Sequence, residues 1–402
     1  MNKDKQKIIS NGVKRILIFS LAYYPHHVSG AEAAIREITD RIDDIEFHMI
    51  TLRYNNQLPK TEKIGNVLIH RIGLSSKNPS FEDLGKLPLD LNKPLYQFLA
   101  PLRAIMLHRR YKYDAIWSMM AHSAGVPGVI FKMLNPKIKF VLTLQEGDPT
   151  DYIEKKMKPL SFLFTDAFIK ADIVQPISKH LADWARRHHT KEYNIKLVHN
   201  GANPKDLNSN SNIDDLNKLK QKYNKQDNEI FLVNTARLVK QKGNDNTIRA
   251  LAKLAKNIKL LLVGAGPEET MLRDLTKKLN LEDRVIFAGQ VDRNEVSQYR
   301  QISDIFVGPS RSEGLGNAFL SAMASRLPVI ATQEGGLSEF IFDQKTAWVV
   351  DKDSPEQIVR AVQDILANPD KVKTITTTAR AMIEKNYDWN MIAKTMKDKI
   401  FN

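Results

Sequence analysis

Residues 229–243 read EIFLVNTARLVKQKG, and this stretch decides the fold. Residues 229–236 are a short apolar and β-branched run that predicts a strand. Arg237-Leu238-Val239-Lys240-Gln241-Lys242-Gly243 follows as a loop, and a helical pattern begins near Asn244. A buried strand feeding a glycine turn and then a helix is the repeating unit of a parallel α/β sheet. The same junction suits an anion: Gly243 turns without a Cβ penalty, and a helix start offers unpaired N–H groups and the positive end of its dipole. Arg237 and Lys242 would add full charges, each charge-assisted hydrogen bond contributing about 1.5–3 kcal/mol when shielded from water. The other reading of this loop is a solvated basic turn.

The unit recurs downstream. Residues 258–263 predict a strand running into Gly264-Ala265-Gly266-Pro267-Glu268, where two glycines, a Pro at the expected first helical position and an early acid mark a tight strand-to-helix turn. The third Gly of the dinucleotide fingerprint is missing, which disfavours a nicotinamide cofactor. Residues 304–308 lead into Pro309-Ser310-Arg311-Ser312-Glu313-Gly314-Leu315-Gly316-Asn317 and a helix over 318–324. Glycines there let backbone amides approach sugar and phosphate oxygens, and Glu313 can accept hydrogen bonds from two vicinal hydroxyls. The strand 328–331 ends in Thr332-Gln333-Glu334-Gly335-Gly336. Such loops, gathered at one edge of a parallel sheet, define a crevice.

The N-terminal half repeats this design more loosely. Residues 13–21 predict the first strand, with a loop over 22–30 and a helix from Ala31; Glu32 near that helix start complements the dipole. The strand 114–119 puts His122 at a strand end, where an imidazole can donate to a sugar hydroxyl or a phosphate; a purely structural histidine is the alternative. The strand 139–144 ends in Gln145-Glu146-Gly147-Asp148-Pro149, making Glu146 and Asp148 candidates to orient an acceptor hydroxyl, with a plain Gly-Asp-Pro turn as the equal alternative. Ser178 is placed to cap a helix after the strand 171–177. Residues 204–228, rich in Asn, Lys and Asp, read as a linker with a short polar helix. The expected division is therefore 1–203, a linker at 204–228, a second domain at 229–385 and a terminal helix at 386–402.

Composition agrees with two soluble cores: 402 residues, 42% hydrophobic and 26% charged. No apolar run approaches the roughly 18 residues a membrane-spanning helix needs. Lys14-Arg15 before residues 16–24 mimics a secretory leader, but Pro25-His26-His27 follows without a small-residue cleavage site, so a buried first strand is the better reading. The absence of cysteine excludes disulfides, thiolate nucleophiles and cysteine-based zinc sites. A net charge of +14 implies an anionic partner. Zinc-finger spacing and an RNA-recognition motif are lacking, so nucleic acid is disfavoured. Residues 95–113 (LYQFLAPLRAIMLHRRYKY) mix apolar side chains with Arg103, Arg109, Arg110 and Lys112 and contain no acid. They read either as a membrane-interface segment or as a core-facing helix with a solvated basic end.

In their order and spacing, R-L-x-x-x-K-G (237–243), G-x-G-P-E (264–268), F-x-G-x-V (287–291) and S-E-G-x-G (312–316) closely resemble the pattern of glycosyltransferase family 4, and the resemblance spans almost the whole chain. It implies a GT-B fold: two Rossmann-like domains with parallel sheets facing across a cleft, and a C-terminal helix, led by Trp389, that crosses back to the first domain. A cap on the second domain is the alternative for that helix. The implied activity is retaining transfer from a UDP- or GDP-sugar, a co-substrate rather than a cofactor, to a saccharide or lipid-linked saccharide acceptor in cell-surface polysaccharide or glycoconjugate synthesis. No metal is implied. By position, Arg237 and Lys242 would contact the donor pyrophosphate and Glu313 the donor sugar. The backbone of Gly314, Leu315, Gly316 and Asn317 would lie beside it, Val291 against the nucleobase, and His122 toward the sugar. Ser29-Gly30-Ala31-Glu32 resembles the family's Gly-Gly-x-Glu turn, with Gly30 close to donor phosphate or acceptor, and residues 199–203 resemble its interdomain hinge.

Ser321 departs from the pattern, because the family commonly has there a Glu that binds the ribose. This leaves two readings, an active enzyme with altered nucleotide recognition or a non-catalytic nucleotide-sugar-binding scaffold. A GT-B epimerase or phosphorylase is a third. A nucleotide-sugar donor implies the cytoplasm, with peripheral contact at the inner face of an anionic membrane through the basic N-terminal domain.

Overall fold

The apolar runs pair into two sheets in a computed structural model that describes residues 12–25, 29–80, 82–208, 212–293 and 295–402. His26 and His27 of the leader reading and residues 209–211 of the linker lie outside the described residues. The first sheet comprises β1 (Lys14–Phe19), β2 (Ile45–Leu52), β3 (Thr61–Ile64), β4 (Val67–Ile72), β5 (Ala115–Met119), β6 (Lys139–Leu144) and β7 (Ile173–Pro176), in the order β3-β4-β2-β1-β5-β6-β7. β3 is antiparallel to β4 and the other pairs are parallel. Central runs such as KRILIF and KFVLTL are buried almost throughout, as strands covered on both faces must be.

The second sheet holds β8 (Ile230–Thr235), β9 (Ile258–Val263), β10 (Val285–Gly289), β11 (Ile305–Gly308), β12 (Val329–Ala331) and β13 (Trp348–Val349), all parallel, in the order β10-β9-β8-β11-β12-β13. In each sheet the first strand is flanked by connections that leave in opposite directions: β1 sits between β2 and β5, and β8 between β9 and β11. A crevice opens where such connections diverge.

Six helices of the first domain matter below: α1 (Gly30–Thr39), α2 (Asn92–Tyr111), α3 (Val126–Leu134), α4 (Thr150–Met157), α5 (Ser161–Lys170) and α6 (Lys179–Arg187). Tyr96, Ala100 and Ala104 of α2, Phe131 of α3 and Phe164 and Phe168 of α5 bury one face of the sheet. α1 covers the other, together with the terminal helix Trp389–Thr395. Trp389, Ile392, Met396 and Phe401 share a core with Ile16, Ile18 and Trp117, and Phe401 meets the Trp117 ring edge-on at 5.1 Å between centroids. The terminal helix therefore does cross back and is not a cap on the second domain. Asp388 caps it by accepting from the Asn390 and Met391 N–H groups. At the other crossing between domains, the Ala202 N–H donates to the Tyr387 carbonyl at 3.0 Å, so both crossings are tied together.

Some local readings shift. The helix after β9 starts at Glu269, leaving Pro267 in the turn ahead of it rather than at the first helical position. The linker carries two short helices, Pro204–Asn208 and Ile213–Lys222. The segment 95–113 belongs to α2 as far as Tyr111, and the inner face of that helix packs in the core.

β2 and β4 bury two histidines side by side. His48 Nδ1 meets the Tyr113 hydroxyl at 2.7 Å and its Nε2 meets Glu46 at 2.8 Å. Burial, reinforced by His48, Arg103 and Arg110, pushes His70 from 6.5 down to about 4. Between those two values the unfolded chain binds the extra proton, so stability rises with pH there, is fully present above about 6.5 and is lost as pH falls toward 4. We expect the melting temperature to drop across this window and the drop to flatten in His70→Leu. Independently, Trp389→Ala should destabilise the first domain by about 3–5 kcal/mol, measured by urea unfolding.

Candidate functional site

The two crevices face one another across a cleft of about 1150 Å³, and every site residue singled out from the sequence lines it. The loop after β8 makes a single tight turn at Lys240–Lys242 and closes on Gly243, whose φ is +65°. An added Cβ there would lie 2.1 Å from the Pro309 carbonyl oxygen, so only glycine lets this loop lie against the loop after β11. The approach has a direct chemical result: Lys242 Nζ donates to Glu313 Oε1 at 2.6 Å, and Ser310 Oγ donates to the same oxygen at 2.9 Å. Glu313 is buried. The Arg237 guanidinium stands exposed on the cleft wall and makes no side-chain hydrogen bond among the described residues.

Arg311 braces this arrangement from behind. Its guanidinium bonds Asp245 at 2.9 Å and the Lys240 carbonyl at 2.7 Å, while its backbone N–H donates to the Gln241 carbonyl at 2.7 Å. The paired acids Asp245 and Asp353 raise its already high pKa.

On the opposite wall, the Ser29 N–H donates to Glu32 Oε2 at 2.7 Å, so Glu32 caps α1, and its burial raises its carboxyl pKa. Gly30 begins that helix at the cleft edge. His122 sits on a π-helical turn, Ala121–Gly125, entered through Met120 at a left-handed φ of 70°. Glu146 holds the turn. One carboxylate oxygen accepts from the Ala121 N–H at 2.5 Å and the other from the Gln145 N–H at 2.8 Å, and His122 Nδ1 lies 3.4 Å from the first. Glu146 is thus committed to the backbone of the loops after β5 and β6, unlike the acceptor-facing carboxylate expected of it. The His122 ring is held more closely on its other side, where Nε2 lies 2.9 Å from Ser123 Oγ. Asp148 accepts from Gln241 Nε2 of the second domain at 3.2 Å.

Also on the second domain's wall, Val291 follows β10, and Gly316, at φ +97°, precedes the helix Asn317–Ala324. Leu315 is buried beneath this turn, and Asn317 accepts from Asn200 Nδ2 at 3.4 Å. Ser321 is buried, and its hydroxyl oxygen accepts from the Asn203 N–H of the interdomain crossing at 3.1 Å. Behind it Arg300 forms a two-pronged pair with Asp206 and donates to Thr235 Oγ1 at 3.2 Å. Ser310 and Arg311 were read from the sequence only as members of their loop, with no role, and Arg300 was not singled out. Arg300 reads there as an ordinary solvated charge on a short helix, and only the long-range contact to Asp206 reveals its burial.

Residues 215–386 match the family model for glycosyl transferases, group 1. An uncharacterized glycosyltransferase of Methanocaldococcus jannaschii is 26% identical over 96% of this chain and 98% of its own length. A GDP-mannose-dependent alpha-(1-6)-phosphatidylinositol monomannoside mannosyltransferase of Mycobacterium tuberculosis is 32% identical over 40% of this chain and 45% of its own. Among solved structures, Anabaena HepE in complex with UDP and glucose superposes with a TM-score of 0.77 at 20% identity, covering 96% of this chain and 99% of that one. The fold is therefore GT-B, and the family match together with the relatives supports a glycosyltransferase of group 1.

The loops after β6 and β11 touch across the cleft. Ser312 Oγ donates to the Gly147 carbonyl at 3.2 Å, and a Cβ on Gly314 would lie 2.2 Å from the Glu146 carbonyl oxygen. Gly314→Ala should wedge the loops apart while leaving both cores folded. The expected readout is a larger radius of gyration by small-angle scattering at an unchanged melting temperature.

Proposed function

We propose that this chain is a retaining glycosyltransferase that moves a sugar from a UDP- or GDP-linked donor to a saccharide or lipid-linked saccharide, without a metal, in the synthesis of cell-surface polysaccharide or glycoconjugate. The observation that carries the reading is the cation pair, Arg237 free on the wall and Lys242 held by Glu313, at the point where the second sheet's connections diverge. Breaking the anomeric C–O bond leaves negative charge on the departing diphosphate. Fixed cations and helix-start N–H groups, aimed beforehand at that charge, lower the barrier without reorganising during the reaction. They also supply the charge that a divalent ion would otherwise bring.

Glu313 would accept from vicinal sugar hydroxyls as Lys242 turns to phosphate, so the resting ion pair exchanges both partners on donor binding. His122, steadied by Glu146, would donate to a sugar hydroxyl or the β-phosphate. Retention follows from attack by the acceptor on the same face as the leaving group, and no general base is assigned. HepE, described with UDP and glucose, makes a UDP-sugar the first donor to try, and the GDP-mannose-dependent relative makes a GDP-sugar the second.

Ser321 motivates a second reading, a nucleotide-sugar-binding scaffold without turnover, since its hydroxyl oxygen is already used by the Asn203 N–H. One experiment separates the two. With UDP- and GDP-sugars in the presence of chelator, Arg237→Ala and Lys242→Ala should each lower transfer or donor hydrolysis about 10²–10³-fold with folding intact. Wild-type turnover in both variants would sink the mechanism, and calorimetric donor binding with no turnover by the native chain would establish the scaffold.

A further inference from the structure

α2 is apolar on both of its sides. Tyr96, Ala100, Ala104 and Leu107 face the core, while Leu95, Phe98, Leu99, Leu102 and Met106 are exposed. The exposed set follows the i, i+3, i+4, i+7, i+11 spacing of a single helical stripe, and Leu102 and Met106 are each 59% exposed. A helix on the outside of a soluble domain normally turns charged or polar side chains outward. The neighbouring surface continues the pattern. α3 packs between α2 and α5, its end exposes Met133 and Leu134, and α5 exposes Phe162, at 71%, and Ile169.

Charge on this face is mostly positive. Residues 92–113 contain no Asp or Glu but include Lys93, Arg103, Arg109, Arg110 and Lys112, and Lys155, Lys156 and Lys158 follow on and after α4. Of the nearby acids, Glu154 bonds Trp184 Nε1 at 2.8 Å and His188 at 3.1 Å and Asp166 lies 3.5 Å from Lys170, which leaves Asp90 and Asp151 exposed against the larger number of cations. Among the described residues no helix is long and apolar enough to cross a membrane, so this is a surface that rests against something.

From these observations we propose that the exposed stripe of α2, continued by α5, docks on an anionic lipid surface and delivers the cleft to an amphiphilic acceptor held in that surface. A second copy of the chain fits poorly, because a two-fold contact centred on the stripe would set Arg109 and Arg110 against the other copy's helix start at Lys93, with no acid on either α2 to meet them. Anionic headgroups satisfy the same arginines, and acyl chains accept the stripe. The start of this helix lies toward the cleft, where Lys93 is near enough to Arg237 to feel its charge, and on the core side of α2 Gln97 donates through Nε2 to the Ser123 carbonyl at 3.3 Å, next to His122. A head group held in the bilayer would reach the cleft round this end of α2, while its tail stays in the lipid. The acceptor half of this inference rests on the transferase reading, whereas the docking half does not.

The test uses the full chain with vesicles of phosphatidylcholine alone and of phosphatidylcholine with phosphatidylglycerol. Co-sedimentation is expected only with the anionic vesicles and should weaken as salt rises. Phe98→Ser combined with Leu102→Ser and Met106→Ser should lower the binding by at least about tenfold at an unchanged melting temperature. Arg109→Ala with Arg110→Ala should lower it about 30-fold. Transfer to a lipid-borne acceptor should fall in the triple variant while donor hydrolysis persists. The docking inference is overturned by folded native chain that ignores anionic vesicles at low salt, by a triple variant that binds like the native chain, or by sedimentation velocity showing a dimer that the triple variant breaks. Native docking without turnover would leave this surface standing and remove only the transferase reading.

Discussion

One short contact sets the chemistry of the cleft: the ammonium of Lys242 against the carboxylate of Glu313, 2.6 Å apart and largely shielded from water. A shielded pair of this kind is valuable for what it keeps in place more than for net stability, because withdrawing both charges from water offsets much of their attraction. It keeps a cation and a hydrogen-bond acceptor at adjacent points of the cleft wall. Everything nearby serves that closeness. Gly243 lets the two loops meet, Ser310 fills a second lone pair of the carboxylate, and Arg311 stitches the loops together from outside the cleft.

The first domain contributes positioning more than charge. Its turn at Ala121–Gly125 is entered through a backbone conformation that a methionine adopts only at a cost, and a buried carboxylate from the next loop secures it. The strain and its remedy come from different strands, β5 and β6, so the orientation of His122 depends on the register of the sheet beneath it. The same loop that carries Glu146 presses on Gly314 of the second domain, linking the posture of the imidazole to how nearly the two halves approach.

Much of the second domain was legible because its strands are short apolar runs that each end in glycine and charge. Residues 258–263 coincide with β9, and the cleft gathers all the residues singled out around those ends. Less of the first domain could be read. β2 and β4 carry Glu46, His48, His70 and Arg71, polar residues that break the apolar pattern. They are nonetheless accommodated, because Tyr113 and Glu46 hold His48, and the Pro59 and Tyr24 carbonyls hold Arg71. Such partners lie far apart in the chain and leave no local trace. The inward turn of Glu146 and the Arg300–Asp206 pair escaped for the same reason. α2 was ambiguous for the opposite reason, since its sequence is apolar on both sides and gives no sign of which side faces the core.

The bond from the Ala202 N–H to the Tyr387 carbonyl fastens the two chain crossings side by side. Both joints of the chain therefore sit at the same end of the bite. A swing of the lobes about that end would displace its far lip most and its rear least, and Ser321, bonded to Asn203 at the rear, lines the stretch of wall such a swing would disturb least.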